Sequence, residues 1–287
     1  MDILFIAHLL NGLLMIAMPV GLAIFLTRKF HLRWRLWWIG FATFVISQVG
    51  HIPFNSGVSL LLNRSGMVYW SPTAQLLFNA AFLGLSAGLF EEGARFLILR
   101  FWAKDARSWR TGVLFGAGHG GAEAIILGAI TLYAFIQLAA LRNADLSKLV
   151  PANQLVLAQQ QVHAYWTASW YGSLLGALER FFTIPVQICF SILVLQTFTR
   201  KQWFWVWLAV LFHAVVDATA VLAMQYFGAS WTEAFVAVFS LLSLLIIYLL
   251  YRPEPISVAD SVPVPGSVPL IKPVEETREN LDSTRFQ

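Results

Sequence analysis

Three pairs of ionisable side chains, each pair four residues apart, lie inside long apolar stretches of the sequence. The pairs are Glu91 with Arg95, His119 with Glu123, and His213 with Asp217. A spacing of four places both members of a pair on one face of a helix. Carboxylates and imidazoles can activate water, stabilise an oxyanion, hold a metal ion or bind a transported ion, so each pair is a candidate for chemistry.

The same apolar stretches contain three further charged residues, which are Glu92, Glu179 and Arg180. A charge in such a segment costs about 2.5 to 3.5 kcal/mol on membrane-insertion scales, so it indicates a function or a buried ion pair. Adjacent residues point about 100° apart on a helix, so at most one of Glu179 and Arg180 faces the centre of a bundle. We expect Glu179 and Arg180 to form a structural charge relay, which Gln187 could complete, and we expect Glu123 to support the site as well.

Glu91, His119 and His213 are predicted to lie at a similar depth. Counting about 1.5 Å per residue from the presumed cytoplasmic end of each helix gives roughly 18, 12 and 15 Å, respectively. The three values agree within the uncertainty of the helix boundaries, so the side chains can converge on one point. Two histidines and a carboxylate would suit an open zinc site, although the chain has no contiguous HExxH motif.

Transmembrane helices are the elements that must position these residues. The 287-residue chain is 58% hydrophobic and 12% charged with a mean hydropathy of +0.68, which excludes an ordinary water-soluble globule. We predict an all-α, polytopic helical membrane bundle with about seven transmembrane helices. Apolar runs of sufficient length lie near 4–26, 36–61, 74–103, 111–141, 171–198, 203–225 and 231–251.

The distribution of Lys and Arg predicts the orientation of the bundle. With seven spans, one set of connections holds eleven basic residues and the opposite set holds three. By the positive-inside rule the N-terminus is outside and the C-terminus is in the cytoplasm. The net charge of +4 therefore reflects topology, and we expect no nucleic-acid partner. We divide the chain into a membrane domain (1–251), with a catalytic core at about 85–222, and a disordered cytoplasmic tail (252–287).

Two further segments, a loop between spans and a stretch within the second span, also allow structural predictions. The outer loop from about 142 to 170 is expected to contain an interfacial helix that runs into an aromatic belt. The segment "QVGHIPFN" is expected to interrupt the second span and could line a substrate entrance. His51, within that segment, is expected to have no functional role. The single Cys189 excludes an internal disulfide and any multi-cysteine metal site.

The fourth span is rich in glycine around its histidine, in "FGAGHGGAEA". Gly112, Gly116 and Gly120 form a small-xxx-small series that lets another helix approach closely. Gly118 and Gly121 are expected to open space beside the imidazole. The same letters match the G-x-G-x-x-G dinucleotide pattern, but no strand precedes them, so that interpretation is rejected.

The motifs resemble those of a known superfamily, the CAAX-prenyl proteases and bacteriocin-processing proteins. The resemblance rests on "EEGAR" at 91–95, the Phe-xxx-His that ends at His119, and the His-xxx-Asp that begins at His213. The "GAGHGGAEA" and "ALER" stretches look most like its YhfC-type intramembrane metalloproteases, with PrsW-type proteases as relatives. Three motifs occur in the right order on three polar spans, and the resemblance covers roughly residues 85–222.

The resemblance implies a catalytic set, namely Glu91, Glu92, Arg95, His119, His213 and Asp217. Glu91 would be the base, and His119 and His213 would hold a metal, such as Zn²⁺, or stabilise the oxyanion. Glu92 and Arg95 would be a supporting pair. Two residues separate Glu92 from Arg95 where three are usual, and Asp217 stands where prenyl proteases usually have Asn. Both departures fit the YhfC and PrsW branches and argue against a prenylated substrate.

The sequence therefore predicts an intramembrane endopeptidase of the bacterial cytoplasmic membrane. Its partners would be the lipid bilayer and a membrane-associated peptide or protein substrate. Glu91 would activate a water, Zn²⁺ or donated hydrogen bonds would stabilise the oxyanion, and Glu123 and Asp217 would fix the imidazole tautomers. Two other functions stay open. One is a transporter that binds an ion at the midplane, and the other is a non-catalytic immunity or scaffold protein on the same fold.

Overall fold

The computed structural model describes residues 2–252, and these residues form eight α-helices without a β-strand. The helices are α1 (Ile3–Phe30), α2 (Arg35–Arg64), α3 (Pro72–Phe101), α4 (Trp109–Leu141), α5 (Leu155–Thr167), α6 (Leu175–Thr199), α7 (Phe204–Phe227) and α8 (Ala229–Leu249). The predicted all-α class is confirmed, and each predicted span coincides with a helix to within about one turn. Apart from Arg252, the predicted tail lies outside the described residues.

Six segments of the described chain are long and apolar enough to cross a membrane. They are α1, α3, α4, the stretch Gly172–Thr199 that contains α6, α7 and α8. The remaining predicted span, α2, has 30 residues and would extend about 45 Å, but Gln48, His51 and Asn55 lower its hydropathy. It runs without interruption through Pro53, so the predicted break in this helix is wrong. The N-out orientation stays a prediction.

Local sequence signals explain where several helices begin and end. Ser71 accepts a hydrogen bond from the backbone of Ala74 and is followed by proline, which is favoured in the first turn of a helix. Ser108 and Thr111 form a reciprocal capping box at the start of α4. Gly228, at φ +79°, is the only residue between α7 and α8. Its left-handed backbone reverses the chain within one residue.

The predicted outer-loop helix is present as α5, and aromatic side chains fix it to the bundle. Trp166 donates its indole N–H to the carbonyl of Leu138 at 3.0 Å, and the Arg142 guanidinium lies 4.2 Å from the centre of the same indole. Tyr165 stacks on His8 of α1, with 3.8 Å between ring centroids. These contacts join α5 to α1 and α4 at one end of the bundle.

Helix α4 lies at the centre of the fold, where it packs against α1, α2 and α6. All residues from 112 to 122 are buried. A Cβ atom on Gly116 would lie 2.7 Å from the Ile188 backbone of α6, as the small-xxx-small series predicts. Gly118 faces α2 instead, since its Cβ would lie 2.0 Å from the carbonyl oxygen of Trp37. Gly118 therefore permits a backbone contact and does not open space beside His119.

Gly118→Ala is expected to destabilise the bundle, because the added methyl group meets backbone that cannot move aside. Overpacking of this kind costs about 1 to 3 kcal/mol, which lowers Tm by roughly 2 to 12 °C for a chain of this size. Gly57→Ala in α2 is the matched control, since nothing lies within 4 Å of its added Cβ. Thermal unfolding in detergent measures both variants, and equal Tm values would contradict the close α2–α4 contact.

Candidate active site

Two adjacent glutamates on α3 occupy different environments at the centre of the site. The close packing of α3 on α7 brings them beside His213, because a Cβ on Gly88 would lie 2.6 Å from the Val210 carbonyl oxygen. The Glu92 side chain is 0% exposed, whereas that of Glu91 retains 8% exposure. Of the two carboxylates, only Glu91 therefore retains any exposed surface.

Glu92 is held in a fully buried ionic cluster. Arg95, one turn along α3, donates a hydrogen bond to its Oε1, and His213 Nδ1 lies 2.8 Å from the same oxygen. The Arg95 side chain is also fully buried and lies over the ring of Phe190 of α6, with Cζ 5.8 Å from the centroid. Charges buried this deeply persist only when they are paired. Glu92 and Arg95 therefore form an ion pair, as predicted, while its supporting role stays a prediction.

Glu91 is hydrogen-bonded by side chains from two other helices. His119 Nε2 of α4 lies 3.1 Å from Glu91 Oε2, and Gln48 Nε2 of α2 donates to Oε1 at 3.1 Å. Arg95 is more distant, with a nitrogen 3.9 Å from Glu91 Oε2. Both carboxylate oxygens of Glu91 are thus oriented, while 8% of the side chain stays exposed. The structure brings Glu91 and His119 together as the depth argument predicted.

His213 lies between two carboxylates and against an aromatic ring. Its Nδ1 faces Glu92, and its Nε2 lies 3.5 Å from Asp217 Oδ2, which is longer than a good hydrogen bond. The Asp217 side chain is 38% exposed. Phe190 stacks on the imidazole, with centroids 4.5 Å apart and planes 13° apart. Three constraints therefore fix the His213 ring, and Nε2 points to the more open side.

A chain of polar contacts leads away from Arg95 through α6. Arg95 donates to Gln187 Oε1, and Gln187 Nε2 donates to Glu123 Oε2 at 3.0 Å. Arg180 donates to Glu123 Oε1 at 2.5 Å and also to Glu179. Arg180 faces the interior while Glu179 is half exposed, as the 100° argument predicted. These contacts connect Glu179 and Arg180 to the ion pair of Arg95 with Glu92, and Glu123 is a member of this chain that the predicted relay did not include.

Glu123 does not fix the tautomer of His119, and this part of the prediction is wrong. The Glu123 carboxylate faces Arg180 and Gln187 on α6, while the buried His119 Nδ1 has no hydrogen-bond partner in the described chain. The spacing of four gave a common helix face. It could not show that Arg180, a strong donor on the neighbouring helix, would attract the carboxylate.

Three further polar residues near the site were missed from the sequence. A functional role for Gln48 and His51 of α2 was not predicted, because an uncharged amide and a single histidine in a predicted helix break do not by themselves indicate a site. Glu233 of α8 is 7% exposed, and its Oε2 has no hydrogen-bond partner among the described residues. Its place in the apolar "WTEAFVAVF" was the signal that could have found it.

The arrangement does not form the predicted zinc site from Glu91, His119 and His213. Within residues 2–252, no group of three or more His, Cys, Asp or Glu side chains is placed to hold a metal ion. His119 faces Glu91, but His213 directs Nδ1 to Glu92 at 2.8 Å and belongs to the ionic cluster. The geometry instead gives Glu91 hydrogen bonds from Gln48 and His119. It places His213 between Glu92 and Asp217.

The fold and the site define an integral membrane protein whose helices enclose a carboxylate and histidine cluster. The family model described as YhfC intramembrane metalloprotease matches residues 14–250, and the chain belongs to this family. The chain is also similar to a Bacillus subtilis (strain 168) protein named "Uncharacterized membrane protein YhfC". The two are 30% identical over 219 residues, which cover 74% of this chain and 82% of the relative. No solved structure matches.

Proposed function

We propose that this protein is an intramembrane endopeptidase that hydrolyses peptide bonds of membrane-associated substrates, with Glu91 as general base. The contrast between the two adjacent glutamates carries the proposal. Glu92 is fully buried and paired with Arg95, whereas Glu91 keeps a small exposed fraction and is hydrogen-bonded by Gln48 and His119. Two carboxyl groups in different environments are typical of sites that assign them different roles in acid–base chemistry. The family description, an intramembrane metalloprotease, supports the same reaction class.

In the proposed reaction, Glu91 takes a proton from a water molecule whose oxygen attacks the peptide carbonyl carbon. The carbonyl oxygen becomes an oxyanion, which His213 stabilises through a proton on Nε2. Glu92 and Asp217 flank His213, and the long distance from Nε2 to Asp217 leaves an Nε2–H able to bind the oxyanion. The tetrahedral intermediate then collapses, the C–N bond breaks, and Glu91 returns its proton to the leaving nitrogen.

His119 has a different role from the one the sequence predicted. Its Nε2 lies 3.1 Å from Glu91 Oε2, so as an Nε2–H donor it orients the base. This leaves Nδ1 without a proton, in agreement with the absence of an acceptor near that atom within the described residues. The kinship with CAAX-prenyl proteases and PrsW, in which His119 would be a ligand or an oxyanion donor, stays a prediction from the motifs.

Proteoliposomes that contain the purified protein and synthetic membrane-spanning peptides test this function, with fragments identified by mass spectrometry. Cleavage that depends on Glu91 supports the proposal. Ion or proton flux without any cleavage would replace it with the transporter. Absence of both activities, together with a cellular phenotype that survives Glu91→Gln, would favour the immunity or scaffold function. A bacterial cytoplasmic membrane is the proposed location, since the relative is bacterial.

Metal content gives a separate prediction, because the described side chains do not gather three donors. Detergent-purified protein is expected to contain well below one zinc per chain, and peptide cleavage is expected to survive a zinc chelator. His119→Ala should leave this metal content unchanged while it lowers cleavage. Stoichiometric zinc that is lost in His119→Ala would instead restore the predicted metal site and assign His119 as a ligand.

A further inference from the structure

We propose that Gln48 and His51 of α2 are positioning residues for Glu91, an inference that rests on the proposed function. Gln48, His51 and Asn55 follow the spacing i, i+3, i+7, which places them on one face of the helix. All three are half-buried, whereas most of their neighbours in α2 are exposed. Placing a polar side chain inside a membrane-spanning bundle costs free energy. A row of such side chains on one inward face therefore indicates a role.

With the Nδ1–H tautomer of His51, the hydrogen bonds along this face run in one direction, which ends at Glu91. Asn55 Nδ2 donates to His51 Nε2 at 2.9 Å, so His51 carries its proton on Nδ1. His51 Nδ1 lies 3.3 Å from Gln48 Oε1, and Gln48 Nε2 lies 3.1 Å from Glu91 Oε1. Each group thus donates to the next and the carboxylate is the final acceptor, an arrangement in which the bonds strengthen one another.

The His51 ring is held in place by α3 as well as by its own helix. Ser86 Oγ lies 3.1 Å from His51 Nε2, and Phe90 stacks on the imidazole with centroids 5.5 Å apart. Phe90 is confined by Gly50, whose Cβ would lie 2.9 Å from the phenyl ring. His51 therefore has few alternative positions. A fixed His51 fixes the Gln48 amide, which in turn sets the orientation of the Glu91 carboxylate.

His51 acts through Gln48 and does not itself transfer a proton to the substrate. This assignment predicts opposite effects for two substitutions. His51→Phe keeps a flat ring against Phe90 but removes both polar atoms, so it breaks the chain of donors. His51→Gln loses the ring but supplies one donor and one acceptor, which can restore the connection from Asn55 to Gln48.

Cleavage of synthetic membrane-spanning peptides in proteoliposomes is the test. His51→Phe is expected to lower kcat about 10- to 100-fold with little change in KM, the size of effect that a misplaced catalytic group produces. Gln48→Leu should match it, and His51→Gln should recover most of kcat. His163→Phe on α5 is the control, since its side chain lies outside this polar face. Thermal unfolding of every variant is measured in parallel.

Each other outcome overturns a different claim. If His51→Phe cleaves like the wild type while Glu91→Gln is inactive, the positioning role is wrong and the proposed function stands. If His51→Gln is as inactive as His51→Phe, although both unfold at the wild-type temperature, His51 is a catalytic acid or base. If kcat falls only in proportion to lost folded protein, the role is structural. If the wild type cleaves no peptide, the proposed function is wrong, and the positioning role that rests on it is wrong as well.

Discussion

Glu91→Gln is expected to lower kcat for peptide cleavage by about 10³-fold, because removal of a general base costs in the range of 10² to 10⁴. The substitution keeps the size of the side chain and removes only its basicity. KM is expected to change little, since Glu91 contacts the attacking water and not the bound peptide. Initial rates over a range of peptide concentrations in proteoliposomes measure the two constants separately.

A second carboxylate in the membrane domain provides the control for this effect. Glu233→Gln in α8 makes the same substitution at a site that is also buried, and Glu233 contacts neither Glu91 nor His213. Its kcat should stay within about threefold of the wild type, the scale of a general stability effect. If both variants lose activity equally, membrane insertion and not base catalysis explains the loss. If Glu91→Gln stays fully active, Glu91 is not the base.

Arg95→Leu is expected to cause the largest loss of stability, about 3 to 5 kcal/mol, because it leaves Glu92 buried without its cationic partner. For a chain of this size that corresponds to a Tm lower by roughly 6 to 20 °C. The single Cys189 is fully buried, so a thiol-reactive dye that fluoresces on coupling reports its exposure on heating. The variant also loses the contact with Gln187, which connects the site to the relay.

Two further variants separate the ion pair from a general effect of losing arginine. Arg100→Leu, in the last turn of the same helix, removes an exposed cation and should change Tm by only a few degrees. The double variant Glu92→Leu with Arg95→Leu removes both charges and should recover part of the lost Tm. Equal Tm values for Arg95→Leu and Arg100→Leu would show that the Glu92 contact does not stabilise the fold.

Helix positions and the composition of the polar faces were predictable because both depend on local periodicity. The apolar runs fixed seven of the helices to within about a turn, and spacings of three or four identified Glu91, Glu92, Arg95 and His213. Carboxylates and arginines in apolar segments are rare enough to be recognised individually. The resemblance to YhfC-type proteins followed from three such motifs, and the match over residues 14–250 confirms this part, while the relationship to CAAX-prenyl proteases and PrsW stays a prediction.

The partners of these side chains were less predictable, because they depend on how each helix is rotated and which neighbour it meets. The contacts of Gly88 with α7 and of Gly118 with α2 set those rotations, and neither partner is encoded near the glycine. Glu123 consequently faces Arg180 and not His119, and the predicted zinc ligands do not assemble. Gln48 was missed because a neutral amide is significant only beside the carboxylate that it contacts.

The buried position of Cys189 has a practical consequence for determining which side of the membrane each loop faces. The folded wild-type chain presents no accessible thiol, since its single cysteine is enclosed between helices. A cysteine introduced into a loop would be the sole target for a membrane-impermeant maleimide in intact cells. The natural sequence is therefore already a suitable background for topology mapping, and no native residue has to be replaced first.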